Sequence, residues 1–308
     1  ERDFPCEEVI ALASERSEGD AVPFGNKELI VQNLSSYDFS ETSIALFSAG
    51  GQISEVYGPI AAEQGCIVID NSSKFRMDND VPLIVPEVNI EMLEHYRTTN
   101  IIANPNCSTI QMVVALKPLE DLASINRINV STYQSTSGAG KAAMEELFNQ
   151  TKGIFSNQEV QPESFTKQIS FNVIPQIGPF LENGNTEEEQ KMINETKKIM
   201  RPDILINAKC VRVPTFIGHA ESINLEFDSP ISEEEAREVL EQASGWIVYD
   251  EREDGGYSTP VESAGHDATY ISRIRADETV EYGLNLWVVS DNLRKGAALN
   301  AIQIAEAI

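Results

Sequence analysis

Ile101-Ile102-Ala103-Asn104-Pro105-Asn106-Cys107-Ser108-Thr109 reads as a short apolar strand, a polar turn and the first residues of a helix predicted over 108–116. The turn matters chemically because it sets a thiol where unpaired backbone N–H groups gather. A helix N-terminus favours thiolate and donates to an oxyanion forming on a bound acyl group, so nucleophile and oxyanion site can coincide at Cys107. Working back from this stretch, short β-branched runs at 9–13, 30–33, 44–47, 67–70 and 83–85 alternate with helical patterns at 53–64 and 90–96. That rhythm is the signature of a parallel α/β sheet. Forward from about Arg127, longer alternating runs at 128–134, 204–213, 223–227, 269–275 and 283–289 predict an antiparallel or mixed sheet with one exposed face. Helices are expected at 142–150, 187–200, 233–243 and 295–308, the third opened by Ser232 and Glu235 at capping-box spacing.

The 308 residues predict about two domains, and 41% hydrophobic with 23% charged residues is an ordinary globular balance. The net charge of −26 repels phosphate backbones and anionic lipid, which disfavours nucleic-acid and membrane binding. The four cysteines, Cys6, Cys66, Cys107 and Cys210, lie far apart, without metal-ribbon pairing or the density of a secreted scaffold. No bound metal is expected, and a reducing cytoplasm fits best. Neither a secretory leader nor a membrane span is visible.

A buried structural thiol is the commoner fate of a cysteine, and it suits Cys66 and Cys210; the polar turn sets Cys107 apart. A thiolate needs a proton partner, and the three histidines are His95, His219 and His266. His219, in Gly218-His219-Ala220-Glu221, is expected in a turn between two apolar strands, and its standing depends on finding Cys107 beside it. Cations are scarce, so Arg212, Arg76 and Lys191 stand out as binders of an anionic substrate. Ser135-Thr136-Ser137-Gly138-Ala139-Gly140-Lys141 lacks the first glycine and the closing Ser/Thr of a phosphate loop and reads as a flexible loop opening a helix. Phe47-Ser48-Ala49-Gly50-Gly51 follows a strand, where small residues let backbone approach a cofactor.

Together these segments resemble aspartate-β-semialdehyde dehydrogenase, of the type found in Gram-positive bacteria, over nearly the whole chain. The matching pieces include Leu12-Ala13-Ser14-Glu15-Arg16-Ser17, Ala45-Leu46-Phe47-Ser48-Ala49-Gly50, Val85-Pro86-Glu87-Val88-Asn89 and the runs 68–76, 104–111, 131–140, 188–200, 210–222 and 287–296. The resemblance implies a Rossmann-like parallel-sheet NADP domain over 1–106 and 293–308, and an α+β catalytic and dimerisation domain with a mixed sheet over 107–292. It implies NADPH-dependent reduction of L-aspartyl-4-phosphate to aspartate semialdehyde and phosphate, towards lysine, methionine and threonine, by a homodimer. In that scheme Cys107 is the nucleophile that forms a thioester, Gln134 orients the acyl group and His219 is the acid/base. Arg212 grips the substrate carboxylate with Asn106 beside it, Glu188 faces the amino group, and Arg76 and Lys191 hold phosphate. Ser14, Arg16 and Ser17 resemble binders of the cofactor 2′-phosphate. Ser48, Ala49, Gly50, Asn71, Ser137, Gly138 and Asn292 complete the cofactor site.

The resemblance also implies an opening strand and a Gly-x-x-Gly-x-x-Gly loop, whereas the sequence as written starts at Glu1-Arg2-Asp3, near the end of the helix that follows such a loop. A chain lacking that first β-α unit is expected to bind NADP poorly and to expose a sheet edge. Around 165–170 a lysine-containing insertion of the relatives is absent. Three rival readings remain: N-acetyl-γ-glutamyl-phosphate reductase, disfavoured by Asn-Cys-Ser-Thr and by Glu188; a cofactor-free thiol hydrolase using Cys107 and His219; and a non-catalytic binding protein.

Overall fold

The computed structural model describes residue 2 and residues 4–308; Glu1 and Asp3, at the helix end inferred above, lie outside the described residues. The chain opens with β1 (Leu12–Ala13), β2 (Ala21–Phe24), β3 (Lys27–Ile30) and β4 (Gln32–Asn33). Strands β1 and β4 pair in parallel, and β2 with β3 forms a hairpin across Gly25 and Asn26. Then come β5 (Ile44–Phe47), α1 (Gly51–Glu63), β6 (Ile67–Asp70), α2 (Pro86–Asn89) and β7 (Ile101–Ala103), whose strands form a parallel sheet in the order β5-β6-β7. Among the described residues β5 lies at one side of this sheet, and its Leu46 is half exposed.

Helix α3 (Cys107–Leu122) begins the second half, followed by β8 (Ile125–Gln134), α4 (Lys141–Phe155), α5 (Glu187–Ile199), β9 (Leu205–Arg212) and β10 (His219–Phe227). The chain continues through α6 (Glu233–Gln242), β11 (Trp246–Val248), α7 (Pro260–Ser263), β12 (Thr269–Ala276), β13 (Gly283–Ser290) and α8 (Leu299–Glu306). The six-stranded sheet runs β11-β12-β13-β10-β8-β9, with parallel pairs at both ends and antiparallel pairs between, the mixed sheet anticipated.

Helix α3 couples the two halves because its apolar residues face in two directions. Ile110, Val113 and Val114 join the core around β6 and β7, while Met112, Ala115, Leu116 and Leu119 join the core on the six-stranded sheet. Each of these buried Ile, Val, Met and Leu side chains contributes roughly 1.5–3 kcal/mol. The closing helix returns to the first half, where Ala301 and Ile304 of α8 pack with Ile69, Ile84 and Ile102. The capping box of Ser232 and Glu235 forms as its spacing predicts, and Thr186 with Glu189 forms another at α5.

Four expectations change. The run 83–85 is no strand: Leu83 makes one bridge to Ala103, and the Val85 N–H goes to the Asn89 side chain. Residues 90–98 wind as a 3-10 helix after α2. His219 is the first residue of β10 rather than part of a turn, because its backbone pairs with Ser290. The loop read as flexible at 135–141 is a 3-10 turn, Thr136–Ala139, in which Ser135, Thr136 and Ser137 are buried. Among the described residues no helix is long and apolar enough to cross a membrane.

Candidate active site

The inner face of the six-stranded sheet changes character from one end to the other. Along β10 the inward residues run Phe227, Leu225, Ile223, Glu221, His219, and along β8 they run Ile128, Val130, Thr132, Gln134. Register brings the polar ends together, with Gln134 beside Arg212 of β9 and His219 beside Ser290 of β13. The period of two thus lines up apolar packing below and a polar row above. Cys107 arrives at this end of the sheet as the first residue of α3. Asn106 caps the helix, its Oδ1 accepting from the N–H groups of Ser108 (3.0 Å) and Thr109 (3.3 Å).

Helix α5 brings the charges. Glu188, Lys191 and Glu195 share a face at i, i+3 and i+7, a spacing that could have revealed Glu195 beside the two residues the sequence singled out. Glu188 Oε1 accepts from Asn106 Nδ2 (2.8 Å) and Gln134 Nε2 (3.1 Å), and Lys191 Nζ stands 3.7 Å from its other oxygen. Glu195 accepts from the Asn106 N–H (2.6 Å) and pairs with Arg76 Nη1 at 3.0 Å, while Arg76 Nη2 donates to the Asn71 carbonyl (2.9 Å). Arg212 Nη1 donates to the Ser135 carbonyl at 2.6 Å. A Cβ placed on Gly138 would stand 3.0 Å from both Arg212 Nη1 and His219 Nε2, so the bare backbone there is what admits these two side chains.

The cofactor-side residues split into two groups. Ser137 and Asn292 are tied to the polar row: Asn292 Oδ1 accepts from Ser135 Oγ (3.1 Å), Ser137 Oγ (3.1 Å) and the Gly218 N–H (3.0 Å). Asn71 is tied in through Asn104, whose Nδ2 donates to it at 2.6 Å. Ser48, Ala49 and Gly50 are exposed at the carboxyl end of β5, and Ser14, Arg16 and Ser17 lie on or beside the turn Glu15–Ser17 after β1. This arrangement fits a dinucleotide. Gly50 has φ 92°, nothing lies within 4 Å of where its Cβ would be, and open backbone therefore precedes the N-terminus of α1 at the carboxyl ends of parallel strands.

The electrostatics differ from the sequence expectation. Burial pushes the Cys107 thiol up to about 12, and Glu188 adds to this against the opposing Arg212 and Arg76. The helix terminus alone therefore does not ionise it. Burial also pushes Cys66 up to about 11, as for a structural thiol. Burial, then Arg212, pushes His219 down to about 3. Glu221, assigned no role from the sequence, is fully buried, and burial drives its carboxyl well upward against the opposing pull of Gln111.

The His219 shift has a sign that can be checked. Below its ordinary value of 6.5 the unfolded chain takes up a proton that the folded chain refuses. Its contribution to stability is whole above pH 6.5 and drains away as pH falls towards 3. The gap in urea midpoint between wild type and His219→Gln should narrow as pH drops from 6.5; a gap independent of pH would contradict the burial of a neutral ring.

Comparison with known proteins agrees with this architecture. Family models for semialdehyde dehydrogenases match in two parts, the NAD binding domain over residues 1–96 and the dimerisation domain over 116–295. The chain is 52% identical over 310 residues to an aspartate-semialdehyde dehydrogenase of Shewanella sp. (strain DB6705), covering 100% of this chain and 91% of that protein. Its structure resembles the crystal structure of aspartate semialdehyde dehydrogenase II complexed with ASA from Vibrio cholerae, with TM-score 0.96 and 51% identity over 99% of this chain and 90% of that one. At 24% identity it shares the fold (TM-score 0.75, 97% of this chain and 90% of that one) of aspartate semialdehyde dehydrogenase with NADP from Candida albicans. Fold and matched models define an oxidoreductase of semialdehydes with a nicotinamide-dinucleotide domain and a dimerisation domain. Within that class, the chain belongs to the aspartate-semialdehyde dehydrogenase family. The resemblance to aspartate-semialdehyde dehydrogenase, at the level of the family, and the fold class read from the residues are both borne out.

Proposed function

We propose that this chain catalyses the NADPH-dependent reductive dephosphorylation of L-aspartyl-4-phosphate to L-aspartate-4-semialdehyde through a thioester on Cys107. The observation that carries the reading is the gathering of Cys107, Gln134, Arg212 and His219 at one polar end of the mixed sheet, against Glu188 and Lys191 of α5. A carboxylate resists hydride, but an acyl phosphate is activated and a thioester stays electrophilic. The Cys107 sulfur forms the C–S bond as phosphate leaves, and later departs from the reduced carbon to release the aldehyde. The nicotinamide cofactor, when bound, supplies the hydride. Arg212 keeps fork atoms free of the Ser135 carbonyl for the substrate carboxylate, and Glu188 offers its charge to the amino group. Arg76 and Lys191 hold phosphate, which requires each to share itself with Glu195 and with Glu187 or Glu188.

Preference for NADP over NAD rests on Ser14, Arg16 and Ser17, an exposed cation between two hydroxyls. The NADP named for the Candida albicans protein supports that preference. The chain divides at 106/107 and 292/293, works in the cytoplasm, and dimerises through the outer sheet face. There the Tyr133 and Trp287 rings meet at a tilt, their centroids 5.5 Å apart.

Oxidation of aspartate semialdehyde with NADP in phosphate buffer, followed by nicotinamide absorbance, tests the reading; no reduced cofactor would defeat it. In that assay Arg212→Lys should raise the KM for aspartate semialdehyde by about tenfold, since a point charge replaces a planar fork, and leave the KM for NADP within about twofold. Equal losses for both ligands would remove Arg212 from substrate binding.

A further inference from the structure

A line of amide side chains runs from the closing turn of the chain to the carboxyl end of the parallel sheet. It starts at Lys295, fully buried in the turn Arg294–Ala298, with its Nζ 2.6 Å from Glu87 Oε2 and 2.8 Å from Asn300 Oδ1. Asn300 Nδ2 lies 3.0 Å from the Ile84 carbonyl and 2.7 Å from Asn104 Oδ1. Asn104 Nδ2 lies 3.3 Å from the Ala297 carbonyl and 2.6 Å from Asn71 Oδ1. Asn300 and Asn104 are fully buried, whereas Asn71, just after β6, is partly exposed. An amide can bond either way round, but here neighbours with a single role fix each one. An ammonium beside a carboxylate only donates, so it takes the oxygen of Asn300; a carbonyl only accepts, so Ile84 takes the nitrogen. Asn300 therefore donates to the Asn104 oxygen. The Ala297 carbonyl repeats the constraint on Asn104, whose nitrogen is left facing Asn71. Asn71 receives that bond on Oδ1 and keeps Nδ2, with two N–H donors, for a ligand. Its main chain is held on both sides, the N–H donating to the Phe47 carbonyl (2.9 Å) and the carbonyl accepting from Arg76 Nη2 (2.9 Å).

We infer that Asn71 donates a hydrogen bond to an acceptor oxygen on the nicotinamide half of the dinucleotide, and that Asn300 and Asn104 are positioning residues that keep its amide nitrogen turned to the ligand. The inference rests on the cofactor reading above. Position singles out the nicotinamide half. Asn71 follows β6 beside the end of β5, where Ser48, Ala49 and Gly50 lie, and Asn104 stands on the turn that leads into Cys107. Hydride must arrive at the carbon held by that sulfur, so the end of the cofactor that carries it lies on this side. The exposed binders of the adenine end, Ser14, Arg16 and Ser17, lie after β1 instead. Asn300 touches neither ligand in this scheme: it acts through Asn104, by denying that amide the opposite orientation. Reversing Asn104 would set its oxygen against the Ala297 carbonyl and its nitrogen against Asn300 Nδ2, two repulsive contacts in a buried network.

Fluorescence titration with NADPH, beside displacement by adenosine 2′,5′-bisphosphate, which carries only the adenine end, tests this on the full-length protein. Asn71→Ala should weaken NADPH roughly three- to tenfold, the scale of one neutral hydrogen bond, and leave the bisphosphate unmoved. Asn300→Leu, similar in volume, should show the same split. The double variant should bind NADPH no more weakly than Asn71→Ala alone, because the relay has nothing left to orient. Losses that add, or an equal loss for the bisphosphate, would reduce Asn300 to a packing residue and overturn the proposal. Neutron diffraction from cofactor-free crystals of the wild type reads the amides directly. Deuterium should lie on Asn104 Nδ2 towards Asn71 Oδ1; the reverse arrangement overturns the relay whether or not Asn300→Leu folds. Wild type that bound neither probe would defeat the cofactor reading itself, whereas NADPH affinity unmoved in Asn71→Ala would sink only this proposal.

Discussion

Cys107→Ala should turn over aspartate semialdehyde at least about 10⁴-fold more slowly than wild type while binding NADP with unchanged affinity. The size follows from what is removed: without the sulfur there is no covalent ester, and the remaining oxyanion and binding groups supply only part of the acceleration. The two core thiols cannot substitute. Cys66 and Cys210 are buried in the two cores, and burial pushes both thiols upward. The cofactor residues at 48–50 and around 14–17 lie on other elements, and the substitution removes one atom from a side chain whose helix cap, Asn106, is untouched. Titration of nicotinamide fluorescence beside steady-state rates separates the two quantities. Turnover comparable with wild type would dismiss Cys107 as nucleophile, and a parallel loss of NADP affinity would show that the change had disturbed the fold.

Gly296→Ala should cost about a hundredfold in kcat, although the residue makes no chemical contribution. A Cβ there would stand 2.8 Å from Cys107 Cβ and 3.3 Å from its Cα, closer than packed atoms allow, so either the nucleophile or the turn must move. The turn is not free to yield. Gly296 lies in a π-helical turn, Arg294–Ala298, beside Lys295. Lys295 is buried with its Nζ on Glu87 (2.6 Å), Asn300 (2.8 Å) and Gln303 (2.7 Å). Asn300 in turn donates to Asn104 at 2.7 Å, on the turn leading into Cys107. Breaking such a buried pair is strongly unfavourable, so the displacement falls on the sulfur. Errors of about 1 Å in a reacting atom cost on the order of 10²-fold. Alkylation of Cys107 by iodoacetamide and kcat should fall together. An alanine variant with wild-type kcat would show that the turn relaxes and that the close approach is incidental.

Much of the fold was readable because it depends on local pattern. Strands 44–47, 67–70 and 101–103 were marked by apolar β-branched runs between turns, and α6 by its cap. The β2–β3 hairpin escaped notice because Pro23, Lys27 and Glu28 dilute its pattern, although Gly25-Asn26 was a two-residue turn signal. His219 was misplaced into a turn because the glycine before it looks like a break, whereas pairing with Ser290 draws it into β10. Glu195 and Glu221 were given no role because acids on a helix or strand usually face water, and only packing shows that these two do not.

The residues along the chain specified a parallel α/β half, a mixed-sheet half and a cysteine at a helix start, since periodicity and capping act over a few neighbours. They also carried the family likeness, through short segments that can be matched one at a time. The raised thiol of Cys107, the lowered imidazole of His219 and the embrace of Arg76 by Glu195 came only with the folded molecule. Each depends on groups tens to hundreds of residues apart brought within a few ångströms, where desolvation and hydrogen bonding outweigh any local preference.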